Sequence, residues 1–454
     1  MRKVRHALIT LLLLVAALLG FAALAGYPPA YLLAAPGVGT GIGAKLLCSA
    51  RYVSGLSREQ AFSDLVQYSP ILENLTIEYD DAARKVTTSL LGLSETSASH
   101  LPGLGCTIDY PEVDVRGGGM PLPAVDTAAY WPAGDLAYPP GEAIQALVED
   151  QVDSDNAAGL NTRALAVVYR GDLVAEVYDQ GVSAQTPLLG WSMAKSLMSV
   201  MLGNLAYRDK LTMSGSPGFH QWSDDRRAAI TLPQLLTMTD GLAFSEQYDP
   251  GDDATTMLFT EPLAARYVLQ KPLVHEPGTH FNYSSGTANL LSLVYFNNTG
   301  ASLQSSYRDF TENIYVPMAF QHAVFEVDAG GMFMGSSYFY ASARDWARIG
   351  QLMLNGGVIN GRRLVSADWV RKATSPNTAE NDAAYGYQWW LNRGNAQLRW
   401  PDLPEDAFAA QGNRQQWIMV VPSRETVIVR LGWTAGSYPA NQQFAAILDA
   451  LSEN

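Results

Sequence analysis

Residues Ala164 to Tyr169 and Leu173 to Tyr178 read as two strands joined by the tight turn Arg170-Gly171-Asp172, a hairpin. Far downstream, Gln416 to Val421 and Val427 to Leu431 read as a second strand pair, joined across Pro422-Ser423-Arg424-Glu425, and Tyr385 to Leu391 reads as another strand. Between the two pairs the apolar spacing turns helical, over Ser192 to Tyr207, Leu232 to Met238 and Thr287 to Phe296. Helical spacing also brackets the whole, at Glu142 to Gln151 and Asn441 to Leu451. Strands at both ends with helices between them admit few packed solutions. The pattern predicts a mixed α/β (α+β) class: one antiparallel sheet completed by both ends of the domain, flanked by helices, with a helical subdomain inserted.

Composition narrows the function. Apolar residues make up 48 % of the 454 and charged residues 16 %, which excludes a largely disordered chain. A net charge of −14, with no basic tract, argues against a nucleic-acid partner, whose phosphates need Lys and Arg. The N-terminus is different in kind. Arg2, Lys3 and Arg5 precede an apolar run from Ala7 to Ala25, with Ala23-Leu24-Ala25 as a small-residue cleavage site. At about 19 residues the run suits either a cleaved signal peptide or an uncleaved membrane anchor. Either way Arg2 to Arg5 stay cytoplasmic and the rest is exported, periplasmic or otherwise extracytoplasmic, with residues 7–25 as the membrane contact if uncleaved.

Three segments are therefore expected: 1–26 as signal peptide or anchor, 27–135 as an N-terminal extension with linker, and 136–454 as the catalytic domain. Within the extension, residues 27–44 carry Pro28, Pro29, Pro36 and four glycines, and read as a tether. Ser57 caps a short helix to Val66, and Leu75 to Tyr79 and Lys85 to Ser89 are strands around Asp80-Asp81. Pro111 to Pro140, with Arg116 and three successive glycines, reads as the linker. Cys48 and Cys106 are the chain's two cysteines, and in an oxidising compartment they read as a disulfide, the alternative being two buried thiols.

Chemistry concentrates in three places. Ser192-Met193-Ala194-Lys195 opens a helix after the breaker Gly190, and is the one Ser-x-x-Lys in the chain. The spacing puts the hydroxyl and the amine on one helix face, a turn apart. The serine N–H belongs to a helix N-terminus, where donors are unpaired and the dipole favours negative charge. A lysine desolvated there can lose its proton and serve as base. Tyr283 lies at a loop-to-helix junction among Ser284, Ser285 and Gly286, placed to approach another side chain. Ala410-Gln411-Gly412-Asn413 enters a strand where glycine lets a ligand near the backbone.

In this order the three pieces resemble the serine β-lactamase and penicillin-recognising superfamily, in its class C branch with esterases and 6-aminohexanoate-dimer hydrolases. That branch carries Ser-x-x-Lys, then Tyr-x-Asn, then Lys-Thr-Gly or a glycine-containing substitute. Ile230 to Leu242 is similar to that branch's helix and loop after the nucleophile, and Gly335 to Asp345 followed by Gly350 to Gly357 to its later helical segment. The resemblance spans residues 140–454. It implies acyl transfer by Ser192, with Lys195 and Tyr283 sharing the proton and either one as base. It also implies an oxyanion hole from the Ser192 N–H and an N–H at Gly412 or Asn413, and neither cofactor nor metal.

Two departures redirect the substrate. Ser285 stands where the family has Asn, and Ala410 or Gln411 where it has the Lys that faces a substrate carboxylate. Unless Arg414 substitutes, an ester or linear amide small molecule fits better than a β-lactam or D-Ala peptide. Ser285, Gln411, Arg414 and Trp389 are the candidate substrate contacts. A catalytically silent, envelope-tethered binding protein on the same fold is the remaining alternative. An α/β-hydrolase elbow at Gly190-Trp191-Ser192 is disfavoured because Val182 to Leu189 contains Pro187 and makes a poor buried strand and because His275, His280 and His322 come before most C-terminal strands, and His275 and His280 lack zinc-helix spacing.

Overall fold

The computed structural model describes residues 6, 20, 29–113, 118–123, 125 and 128–452. Position 20 aside, the 7–25 segment read as signal or anchor lies outside these, as does the Arg116-Gly117 part of the linker.

The hairpin and the C-terminal strands do share one sheet. β5 (Thr162–Tyr169) and β6 (Asp172–Tyr178) join β7 (Trp390–Leu391), β8 (Phe408–Gly412), β9 (Gln416–Val421) and β10 (Thr426–Gly432) in the order β7-β8-β9-β10-β5-β6. All five pairings are antiparallel. The chain's two halves meet where β10 pairs with β5, Val429 opposite Ala166. Both faces are covered. Leu165, Val167, Met419 and Ile428 pack beneath α3 (Glu142–Ala157) and the C-terminal helix Ala440–Ser452. Ala164, Ala166, Val168, Ile418 and Val427 face the helical block. Burial on both sides explains why these strands read as unbroken apolar runs rather than alternating ones. A helix over Ala343–Leu354 crosses the inner face close in, and a Cβ on its Gly350 would lie 2.4 Å from Val427 Cγ1.

Residues 29–44, the described part of the expected tether, are not a tether. From Pro29 onward the segment belongs to α1 (Pro29–Tyr52), which continues past Pro36. Its glycines occur in i,i+4 pairs on two faces. Gly39 and Gly43 lie on the small sheet, where a Cβ at Gly43 would meet Leu75 at 2.8 Å, and a Cβ at Gly41 would meet the Phe259 carbonyl at 2.3 Å. Glycines that read as flexibility in sequence are here the condition for close approach on both sides. The helix is long and apolar enough to cross a bilayer, yet 67 % of its apolar window is buried inside the protein.

The small sheet is an antiparallel meander of β1 (Leu75–Asp80), β2 (Lys85–Leu90), β3 (Ser94–Leu101) and β4 (Gly105–Ile108). Ser57 caps α2 (Arg58–Val66) by accepting from the Gln60 N–H at 3.1 Å. Cys48 on α1 and Cys106 on β4 form a disulfide, with Cα atoms 6.0 Å apart. Buried charge joins this unit to the rest. Glu326 pairs with Lys45 and accepts from Ser49 Oγ and from the Cys106 N–H, each at 2.7 Å. Asp64 holds Arg163 at 2.6 Å, and its carbonyl accepts from Trp433 Nε1. Each buried ion thus has a charged partner and further hydrogen bonds, the condition under which burial is tolerable.

Candidate active site

Ser192 stands at the N-terminus of α4 (Met193–Tyr207), and its side chain does not cap the helix, so Oγ is not spent on the helix's own N–H groups. The turn before it is tight. Trp191 has a φ of +47°, a left-handed conformation rare for a bulky residue. Lys195 is buried one turn on, with 1 % of its surface exposed. Its Nζ donates to Ser192 Oγ at 2.8 Å, to Ser285 Oγ at 3.1 Å and to the Ser336 carbonyl at 2.9 Å. Three acceptors fill the three positions of an ammonium. Desolvation lowers the Lys195 pKa to about 8, and Glu246 partly opposes the shift.

Tyr283 comes in from the loop before α5 (Ser285–Asn298), whose N-cap Ser284 accepts from the Thr287 N–H. Its phenol comes near enough to the Ser192 side chain for that hydroxyl to lower its pKa, and Lys195 Nζ lies 4.9 Å from its ring centre. Burial pushes the phenol well above its usual range, so it is protonated at neutral pH. The ring is held by Trp390, stacked at 5.0 Å, and by Tyr385, edge-on at 6.0 Å. The alcohol, the amine and the phenol, far apart in sequence, therefore converge.

The third motif closes the opposite side. Gly412 ends β8 against the Ser192 turn, and a Cβ there would lie 2.0 Å from the Gly190 carbonyl. This is the close approach that requires glycine. Asn413 follows, half-buried, as the chain turns back to β9 through Arg414 and Gln415, both left-handed.

The candidate substrate contacts fare less well. Trp389 is wholly buried against Phe408, and its neighbour Trp390 faces Tyr283 instead. The expected strand from Tyr385 shortens to Trp390–Leu391, and at its start the two adjacent indoles point to opposite sides. Ser285 is buried and its hydroxyl is committed, accepting from Lys195 and donating to Glu246. Arg414 lays its guanidinium over the Tyr68 ring at 4.0 Å and lines neither cavity beside Ser192. Its left-handed turn aims it back onto the N-terminal unit. Gln411 is half-buried on β8, opposite Trp417.

Sequence reasoning missed Glu246, Tyr248 and Ser336. Glu246 accepts from the Ser285 N–H at 2.7 Å and from the Tyr248 hydroxyl at 2.7 Å, which ties Lys195 through Ser285 to a carboxylate. Ser336 is oriented by α5, through its N–H on Asn289 Oδ1 at 3.2 Å. These residues lie in loops without periodicity. The one available signal was their position, just after Leu242 and just inside the Gly335 segment.

The arrangement can move a proton from an alcohol to an amine whose pKa lies near neutrality, beside a phenol able to give one back. Among the described residues no cluster of metal-binding side chains occurs. The chain is 24 % identical over 299 residues to a 6-aminohexanoate-dimer hydrolase of Paenarthrobacter ureafaciens, covering 60 % of this chain and 72 % of that one. Its fold is similar to that of a family VIII carboxylesterase, with a TM-score of 0.53 at 15 % identity over 70 % of this chain and 98 % of that one. A class C beta-lactamase mutant is similar too, at TM-score 0.51 and 14 % identity over 68 % and 97 %. The Beta-lactamase family model matches residues 144–451, so the sheet, the helical block and the Ser192 turn lie within it, and the chain belongs to that family of serine hydrolase fold.

Proposed function

We propose that the protein is a serine hydrolase of small-molecule esters or linear amides, working through an acyl-enzyme on Ser192. Ser192 Oγ attacks the carbonyl as its proton passes to Lys195. The oxyanion lies between the Ser192 N–H and the N–H at Asn413. As the carbon–heteroatom bond breaks, Tyr283 protonates the leaving group and recovers its proton from Lys195. Water then enters by the reverse route, forming the carboxylic acid and freeing Ser192. The observation that carries this reading is the 2.8 Å contact from a buried, pKa-lowered Lys195 to a Ser192 hydroxyl that makes no helix-cap bond. The same electrostatics favour Lys195 over Tyr283 as the resting base, because the phenol would have to ionise against burial.

Two further parts belong to the proposal. Residues 136–454 form the catalytic unit, with 27–135 as an extension bolted to it. The protein works outside the cytoplasm, periplasmic if the cell has that compartment, delivered or anchored by residues 7–25. The Cys48–Cys106 disulfide supports an oxidising compartment.

Active-site labelling by a fluorophosphonate and turnover of p-nitrophenyl acetate test the reading, with Ser192→Ala as the reference. Both signals should vanish in the variant. Signals absent from the wild type, or retained by Ser192→Ala, leave a silent binding protein. A chromogenic cephalosporin turned over as fast as the short ester would restore the β-lactamase alternative.

A further inference from the structure

A cavity of about 590 Å³ lies between α1 and the catalytic body, next to the turn that carries Ser192. Its inner end is walled by Trp191, the residue before Ser192, and by Asn413. Its outer walls are Ala35, Val38 and Ile42 of α1 on one side and Ile71 and Leu72 on another. The rim is open to solvent and mostly apolar, with Leu32 36 % and Ile71 44 % exposed, and it carries the exposed polar side chains of Gln247 and Asp249. The α1 wall and the 71–72 wall both lie outside the family-matched residues 144–451. A second cavity flanks the site on the Tyr283 side and is polar, with Ser245, Glu246, Asp253 and Asn282 around it.

The two differ in what each half of a substrate would meet. Tyr283 must reach the leaving atom, so the leaving group departs past Tyr283 into the polar cavity. The acyl half is then directed past Asn413 and Trp191 into the apolar groove. We propose that this groove binds the aliphatic acyl chain of the substrate, so that the N-terminal extension makes the protein a hydrolase selective for medium- and long-chain acyl esters or amides. This rests on the serine-hydrolase reading above and adds the substrate class. Chain length matters through burial, at up to about fourfold in kcat/KM for each methylene taken from water until the groove is full.

The test uses full-length protein and p-nitrophenyl esters from acetate to dodecanoate, each below its micelle concentration. In the wild type kcat/KM should climb with chain length by at least about thirtyfold from acetate to octanoate. Ala35→Trp, a half-buried position on the groove wall, should abolish that climb, mainly through KM, while leaving acetate turnover within about twofold. Ile42→Trp blocks the same groove one helical stretch further in and should act alike, which guards against one variant misfolding. A flat or falling profile in the wild type, with Ser192-dependent acetate turnover intact, overturns the groove assignment alone. A climb that survives both plugs also overturns it. Loss of Ser192-dependent turnover for every ester overturns the underlying hydrolase reading instead.

Discussion

Replacing Glu246 by Gln should shift the pH at which the enzyme switches on. Burial lowers Lys195 to about 8, and Glu246 is the charge that pulls it back up. The path is short: Lys195 Nζ donates to Ser285 Oγ at 3.1 Å, and Ser285 Oγ donates to Glu246. Two hydrogen bonds in series put the charges roughly 5 Å apart, worth roughly 3 kcal/mol at an effective dielectric of about 20. Glu246 is half-buried, so water screens it. The coupling expected is nearer 1.4 kcal/mol, about one pH unit. In the proposed mechanism the base is the neutral amine, so activity should be lost as pH falls through the Lys195 pKa. Without the carboxylate that pKa drops, and the acid limb of kcat/KM moves down by about one unit. Glu246→Gln keeps an acceptor for the Ser285 N–H, so the geometry survives. The assay is the pH profile of kcat/KM on p-nitrophenyl acetate, fitted from about pH 5 to 10. An acid limb that stays put, or moves up, would refute the coupling and with it Lys195 as the base.

Other outcomes follow from the same contacts. Tyr283→Phe, which keeps the ring between Trp390 and Tyr385, should lower kcat by about 10²–10⁴ with little change in thermal stability. The two indoles should separate cleanly. Trp389→Ala, in the core against Phe408, should cost about 3–5 kcal/mol in denaturant unfolding yet spare kcat in the folded fraction, whereas Trp390→Ala should lower kcat more than stability. Removing the disulfide by Cys48→Ala with Cys106→Ala opens a loop with a sequence separation of 58, and the chain-entropy relation puts the cost at about 4 kcal/mol. Lys45→Met should cost about 3–5 kcal/mol by stranding Glu326, and Lys45→Met with Glu326→Met should recover much of it.

Local chemistry carried a good part of this protein on its own. The hairpin at 164–178, the strands at 416–431 and the helix after Ser192 follow from apolar periodicity and turn residues, because each is decided by neighbours within a few positions. The convergence of Ser192, Lys195 and Tyr283 was legible because Ser-x-x-Lys spacing is itself a helix-face geometry and a resemblance in motif order supplied the third member. Long-range packing decided the rest. Glycines at 37–43 signal a tether to any local rule, and only contact with Leu75 on one side and Phe259 on the other turns them into a tightly packed helix. Trp389 and Trp390 are equivalent until a strand register sends one indole into the core. Glu246 and the groove along α1 belong to no periodic pattern, because they arise where loops and elements distant in sequence close on one another, and that closure is a property of the folded chain alone.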